Sequence, residues 1–291
     1  MAQAPVPSTA LRATALAAAV LLAGCSSVTA PAATESTDPS PAASPSGPAV
    51  DAIRALDPAA LDWQWFDSFA ETTAVDITAP DEYGRTYTVG DPVYSDADGD
   101  GLEDMAVPLA QLDGNGFREQ WYVWVADADG GATQMTIPIA WTMRCGDDTR
   151  SVKATDGGFV VRERLREPVV DDYLPCSKAG TFRSTRKVAV VHQGGGLFPV
   201  NLTDPRGYGG VCPTHPRTET GVVKVWGSAI PQISAPLTLD GERMNLILTS
   251  RHALTAGADP MRLASVWPRG GSADQRLCVW IDPVRYEGSG E

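Results

Sequence analysis

The chain is predicted to be mainly β: antiparallel sandwich or barrel-like sheets with many loops, little helix and two disulfides. Three observations carry this expectation. Short apolar runs recur between turn signals, 23 prolines and 28 glycines suit a loop-rich β fold, and Cys145, Cys176, Cys212 and Cys278 form an even set after a leader that directs export.

Residues 1–24 read as a lipoprotein signal peptide. Arg12 is the only charge ahead of an apolar run from Ala13 to Leu22. About ten residues at 1.5 Å each fall well short of the roughly 30 Å of a bilayer core, so the run matches a cleaved leader and not a spanning helix. Leu22-Ala23-Gly24-Cys25 follows and resembles a bacterial lipobox, which makes Cys25 the expected lipid-attachment residue. Two or three acyl chains (palmitate-like) on that residue would hold the protein on the extracytoplasmic face of the cell membrane.

Residues 25–50 form the expected tether. They are Ser, Thr, Pro and Ala with almost no large apolar side chains, so they bury too little surface to offset the entropy of ordering. Residues 51–192 are read as a β-rich domain carrying an acidic loop, and 193–291 as a second β-rich half belonging to the same domain or a separate one. Without the leader and its arginine, 22 basic face 36 acidic side chains, a net charge of −14. No basic stripe is left to neutralise phosphates, which argues against nucleic-acid binding and leaves cations as the natural charged partners.

Met105-Ala106-Val107-Pro108-Leu109, Trp121 to Val125 and Met135 to Ile139 read as strands, with Asp127-Ala128-Asp129-Gly130-Gly131 as a hairpin loop between the last two. Phe159 to Val161, Lys187 to Val191, Val222 to Trp226 and Leu277 to Ile281 continue the pattern. Asp240-Gly241 is expected to turn a hairpin from Leu237-Thr238-Leu239 into Met244 to Leu248. Helix is expected at most over Asp51 to Phe66, with Asp57-Pro58 as cap and first-turn proline, and in one turn over 260–266. Of three possible pairings, Cys145–Cys176 and Cys212–Cys278 are favoured, because each closes one half of the chain.

The residues that carry chemistry are Asp96-Ala97-Asp98-Gly99-Asp100-Gly101-Leu102-Glu103-Asp104, an Asp-x-Asp-x-Asp-Gly-x-x-Asp loop. Calcium takes six to eight oxygens at about 2.3–2.6 Å. Asp96, Asp98 and Asp100 can aim carboxylates at one point, Gly101 permits the turn, the Leu102 carbonyl can add a ligand and Asp104 can close the site. Val107 stands where an EF-hand carries its bidentate glutamate, so the loop is closer to the single calcium loops of FG-GAP-type repeats. The same residues also suit a solvated Asx-turn, and both readings stay open. A second acidic loop, Leu112-Asp113-Gly114-Asn115-Gly116, is a turn on its own that could face the first across the hairpin.

Other patterns carry less. Ser184-Thr185-Arg186-Lys187 matches Ser-x-x-Lys but precedes a strand-like run, where that spacing cannot bring the two together. His192, His215 and His252 lack a triad or metal-ligand context, and Gly194-Gly195-Gly196 is a turn. Trp63, Trp65, Trp121 and Trp124 read as core in preference to a sugar groove. Taken together, the lipobox, the tether, the Asp-Gly-Asp-Gly-x-x-Asp stretch running into Met105 to Leu109 and the Trp/Tyr-rich strand after it resemble uncharacterised secreted lipoproteins of high-G+C Gram-positive bacteria. The resemblance spans about residues 90 to 190 and implies an exported β-rich fold with no catalytic residues to carry over. The expected function is a non-catalytic binding or interaction protein of the envelope, with a protein or glycan ligand and a structural Ca2+. The alternative is an envelope hydrolase using acids such as Asp171 and Asp172.

Overall fold

The computed structural model describes residues 51–67, 72–166, 171–193, 195–204 and 207–212, and the strand segments 220–225, 242–248, 262–268, 277–281 and 287–288. All lie in one compact unit, Pro45–Glu291. The leader, Cys25, the tether, His215, His252 and the Leu237-Thr238-Leu239 hairpin arm lie outside the described residues.

The fold is mainly β with antiparallel pairing throughout the described residues. Strands β1 (Trp63–Phe66) and β2 (Thr72–Val75) form a hairpin. A six-stranded sheet contains β3 (Thr86–Val89), β4 (Val93–Ser95), β5 (Asp104–Asp113), β6 (Gly116–Ala126), β7 (Ala132–Gln134) and β8 (Ala140–Met143). A four-stranded sheet runs in the order β12-β11-β10-β9, with β9 (Asp148–Thr155), β10 (Gly158–Leu165), β11 (Phe182–Gln193) and β12 (Gly196–Asn201). Strands β13 (Thr220–Val225), β14 (Glu242–Leu248), β15 (Arg262–Pro268), β16 (Leu277–Ile281) and β17 (Glu287–Gly288) form a third sheet in the order β16-β15-β14-β13-β17.

The long β5–β6 hairpin is the centre of the molecule because both its faces are covered. Met105, Val107, Leu109, Tyr122 and Trp124 pack on one side against Ile53, Trp63, Trp65 and Phe66. Ala106, Val123 and Val125 pack on the other against Val152, Phe159, Val161, Val188 and Val190 of the four-stranded sheet. A strand buried on both faces reads as a continuous apolar run instead of an alternating one, which is why Met105 to Leu109 lacks polar residues. Each fully buried large side chain there contributes about 1.5–3 kcal/mol.

Pro108 sits mid-strand without breaking the sheet. Across β5 the neighbour changes at this point: β4 ends its pairing at Ala106 and β3 begins at Leu109. The missing Pro108 N–H therefore falls at a gap in the ladder, while its carbonyl accepts the Gly90 N–H at 2.9 Å. Gly90 must be glycine for this crossing, since a Cβ there would lie 2.7 Å from Pro108 Cγ.

Two helical expectations need correction. Asp51 to Phe66 holds only two 3₁₀ turns, Ala52–Ala55 and Pro58–Ala60, before β1 begins. Asp57 does cap the second turn, accepting the Ala59 N–H at 2.9 Å ahead of Pro58. The segment stays extended beyond it because Trp63, Trp65 and Phe66 are all drawn into the core. Where a turn is expected over 260–266, the described residues from Arg262 onward are strand β15, hydrogen-bonded to β14 on one side and β16 on the other. Two ladders outweigh weak local preference. On its other side β14 pairs with β13, and β11 turns back into β12 with Gln193 paired to Gly196; of the Gly194-Gly195-Gly196 run, Gly194 lies outside the described residues.

Both favoured disulfides are present. Cys145–Cys176 joins the turn after β8 to the segment before β11, with Cα atoms 3.9 Å apart. Cys212–Cys278 ties the chain after β12 to β16, with Cα atoms 6.0 Å apart. The Tyr208 N–H donates to the Cys278 carbonyl beside it, at 2.6 Å.

Candidate metal centre

The acidic loop is the whole connection from β4 to β5. Ser95 ends one strand, Asp104 starts the next, and the two are paired across the ladder. A chain turning back over so few residues must enter left-handed backbone, which Gly99 (φ 81°) and Gly101 (φ 91°) adopt without a Cβ penalty.

The carboxylates stitch the loop together. Asp96 accepts the Gly99 N–H on Oδ1 at 2.7 Å and the Gly101 N–H on Oδ2 at 3.1 Å. Asp98 Oδ1 accepts the Asp100 N–H at 3.1 Å, and Asp100 Oδ1 accepts the Leu102 N–H at 2.8 Å. Asp104 is fully buried and spans two elements: Oδ2 accepts the Ala97 N–H at 2.7 Å and Oδ1 the Ala126 N–H at the end of β6 at 3.0 Å. Burial pushes the Asp104 carboxyl up to about 7, with the Asp98 and Asp100 charges adding to the rise and its two backbone donors opposing it.

One carboxylate oxygen from each of Asp96, Asp98 and Asp104 lies within 4.8 Å of the other two, so these three can hold a metal ion together. Asp100 is exposed and directs Oδ1 to the Leu102 N–H, outside that group of three. Carboxylates this close repel one another, and a cation among them removes the repulsion. An all-carboxylate donor set suits a hard cation.

Three contacts that hold the loop were not foreseen. His192 near the end of β11 places Nε2 2.8 Å from Asp98 Oδ2. The Val190 N–H of the same strand donates to the Ala97 carbonyl at 2.8 Å. At the other side Arg54 grips Glu103 with both arms, Nε to Oε2 at 2.5 Å and Nη2 to Oε1 at 2.9 Å, while its guanidinium lies 4.3 Å from the Tyr94 ring centre. That fork holds Glu103 below the usual carboxylate range. No local pattern announces these pairs, because each joins segments far apart in sequence.

The remaining sequence-level candidates take structural places. The Asp113–Gly116 turn does not face the acidic loop: it closes the far end of the β5–β6 hairpin, a ten-residue strand, or roughly 30 Å, from Asp104. Asp171 is buried and accepts both the N–H and the hydroxyl of Thr181, at 2.9 and 2.8 Å, whereas Asp172 is exposed. Ser184 and Lys187 lie on β11, three residues apart, and so on opposite faces of the sheet. Trp63, Trp65 and Trp124 are buried core residues, and Trp121 is half-buried with its indole N–H on Glu119 Oε1 at 3.2 Å.

No family model, no curated protein and no solved structure matches the chain.

Proposed function

We propose that this chain is a lipid-anchored protein of the extracytoplasmic face of the cell membrane, held through Cys25, whose β-rich body binds an envelope partner and whose Asp96 to Asp104 loop carries a structural calcium ion. The observation that carries the calcium reading is the convergence of Asp96, Asp98 and Asp104, with one oxygen of each within 4.8 Å of the others. The lipobox and the likeness to secreted lipoproteins of high-G+C Gram-positive bacteria support the anchor. The commitment of buried acids supports a binding role over a hydrolytic one. Asp104 serves backbone N–H groups, Asp171 serves Thr181, and Glu163 serves Arg186.

Calcium in such a site would fix the loop between β4 and β5 and, through the Arg54–Glu103 fork, the segment that follows the tether. Its value would be in presenting one rigid surface to a protein or glycan ligand. Two experiments divide the proposal. Fractionation of cells expressing wild type and Cys25→Ser should move the protein from membranes to the soluble fraction; an unchanged distribution would refute the anchor. Envelope extract passed over the immobilised full-length chain should yield a partner that EGTA releases. Turnover of a glycan or ester substrate with no stable partner would instead favour the hydrolase.

A further inference from the structure

The two disulfides differ in their settings, and the difference does not depend on the acidic loop. Cys145 and Cys176 are both exposed, whereas Cys212 and Cys278 are half-buried. Cys145 has φ 65° and is the one non-glycine residue with positive φ among the described residues. It sits in a tight turn closed by the Met143 N–H to the Asp147 carbonyl at 2.9 Å and the Gly146 N–H to the Met143 carbonyl at 3.0 Å. A cysteine held in left-handed backbone at the surface is in a conformation that its side chain disfavours, and exposed or strained bridges are the ones that exchange most readily.

The segment that carries Cys176 is fastened by other means. The Arg166 guanidinium donates to the carbonyls of Leu174 (3.3 Å), Pro175 (2.7 Å) and Lys178 (2.9 Å). Asp171 holds Thr181 behind it, and the Cys145 N–H donates to the Cys176 carbonyl at 3.3 Å. These bonds do not involve sulfur. With the bridge open they keep the two thiols side by side, ready to close again.

We propose that Cys145–Cys176 is a reversible thiol–disulfide exchange site, open to dithiols outside the cytoplasm, while Cys212–Cys278 is the permanent staple. A thiolate of the dithiol attacks one sulfur of the bridge; the S–S bond breaks as a mixed disulfide forms, and the departing sulfur takes up a proton. The second thiol of the dithiol then attacks the mixed disulfide, which leaves Cys145 and Cys176 as thiols and the dithiol oxidised. Two electrons and two protons pass to the pair.

The test is graded reduction of the oxidised full-length chain with dithiothreitol, followed by differential alkylation and mass spectrometry of each cysteine, with far-ultraviolet circular dichroism in parallel. Cys145–Cys176 should be half reduced at a dithiothreitol concentration at least about tenfold below that needed for Cys212–Cys278, because the exposed bridge has the higher potential. The dichroism should not change, and oxidised glutathione should restore the bridge once the reductant is removed. The double variant with Cys145→Ser and Cys176→Ser should keep the wild-type spectrum. Bridges that open together, Cys212–Cys278 opening first, or opening only with loss of the spectrum would each overturn the proposal.

Discussion

His192 Nε2 stands 2.8 Å from Asp98 Oδ2, although the two residues are 94 positions apart. The Asp98 side chain is 4% exposed and the His192 ring 65%, so the imidazole covers the carboxylate while remaining in solvent itself. A hard cation among Asp96, Asp98 and Asp104 would compete with the imidazole for that oxygen. His192→Ala should therefore leave calcium affinity unchanged or tighten it by up to about threefold, read by competition with a chelating dye. A tenfold weakening would instead make His192 a ligand of the bound ion.

Asp104 has a structural role that does not require metal. Asp104→Ala would strand the buried N–H group of Ala97 and the half-buried one of Ala126. Each buried group left without a partner costs about 1–3 kcal/mol, so the variant should lose about 2–4 kcal/mol in urea unfolding with EGTA present. A loss below about 0.5 kcal/mol would mean that the strand ends hold without it.

The raised Asp104 carboxyl also sets a pH dependence. Its folded value of about 7 lies above its ordinary value of 3.8, so the folded protein binds this proton more tightly than the unfolded chain. The contribution is complete below about pH 4 and is lost as pH rises through about 7, an order-of-magnitude effect of roughly 4 kcal/mol. In EGTA the wild type should gain stability between pH 8 and pH 5 relative to Asp104→Asn. Parallel pH profiles for the two proteins would contradict the burial argument.

Arg186 on β11 is a second buried anchor. Its guanidinium forks onto Glu163 of β10 at 3.0 Å through both Nε and Nη2 and also donates to the carbonyls of Gly209 and Ile139. Removing one partner of such a pair leaves a buried charge uncompensated, at a cost of about 3–5 kcal/mol. Arg186→Ala should lower stability by that amount in chemical denaturation, whereas Arg150→Ala, at the exposed Arg150–Asp148 pair, should change it by less than about 1 kcal/mol.

Local chemistry in the sequence accounts for much of this fold. The Asp127–Gly131 loop turns a hairpin with the Asp127 N–H on the Gly131 carbonyl at 2.9 Å, and Asp57-Pro58 caps a turn as its residue types suggest. The arm expected over Met135 to Ile139 is instead Ala132–Gln134, and 135–139 is irregular chain between β7 and β8. The two cysteine pairs follow the division of the chain into halves. Legibility stops where distant partners decide the structure. Residues 262–268 are a strand because β14 and β16 flank them, a fact absent from their own pattern. In the same way, three of the loop carboxylates converge as their spacing implies. The reach of Asp104 to β6 and the His192 contact depend on strands packed against the loop.

The most direct test of the proposed calcium site is thermal unfolding of the oxidised full-length chain in EGTA and then in about 10 mM calcium. A dissociation constant near 0.1 mM would stabilise the fold by roughly 2.7 kcal/mol and raise the melting temperature by about 5–10 °C. The rise should vanish in Asp96→Asn and Asp98→Asn and persist, at least in part, in Asp100→Ala, whose carboxylate lies outside the group of three. Equal melting temperatures with and without calcium in the wild type would contradict the account and leave Asp96 to Asp104 as a self-stitched acidic turn.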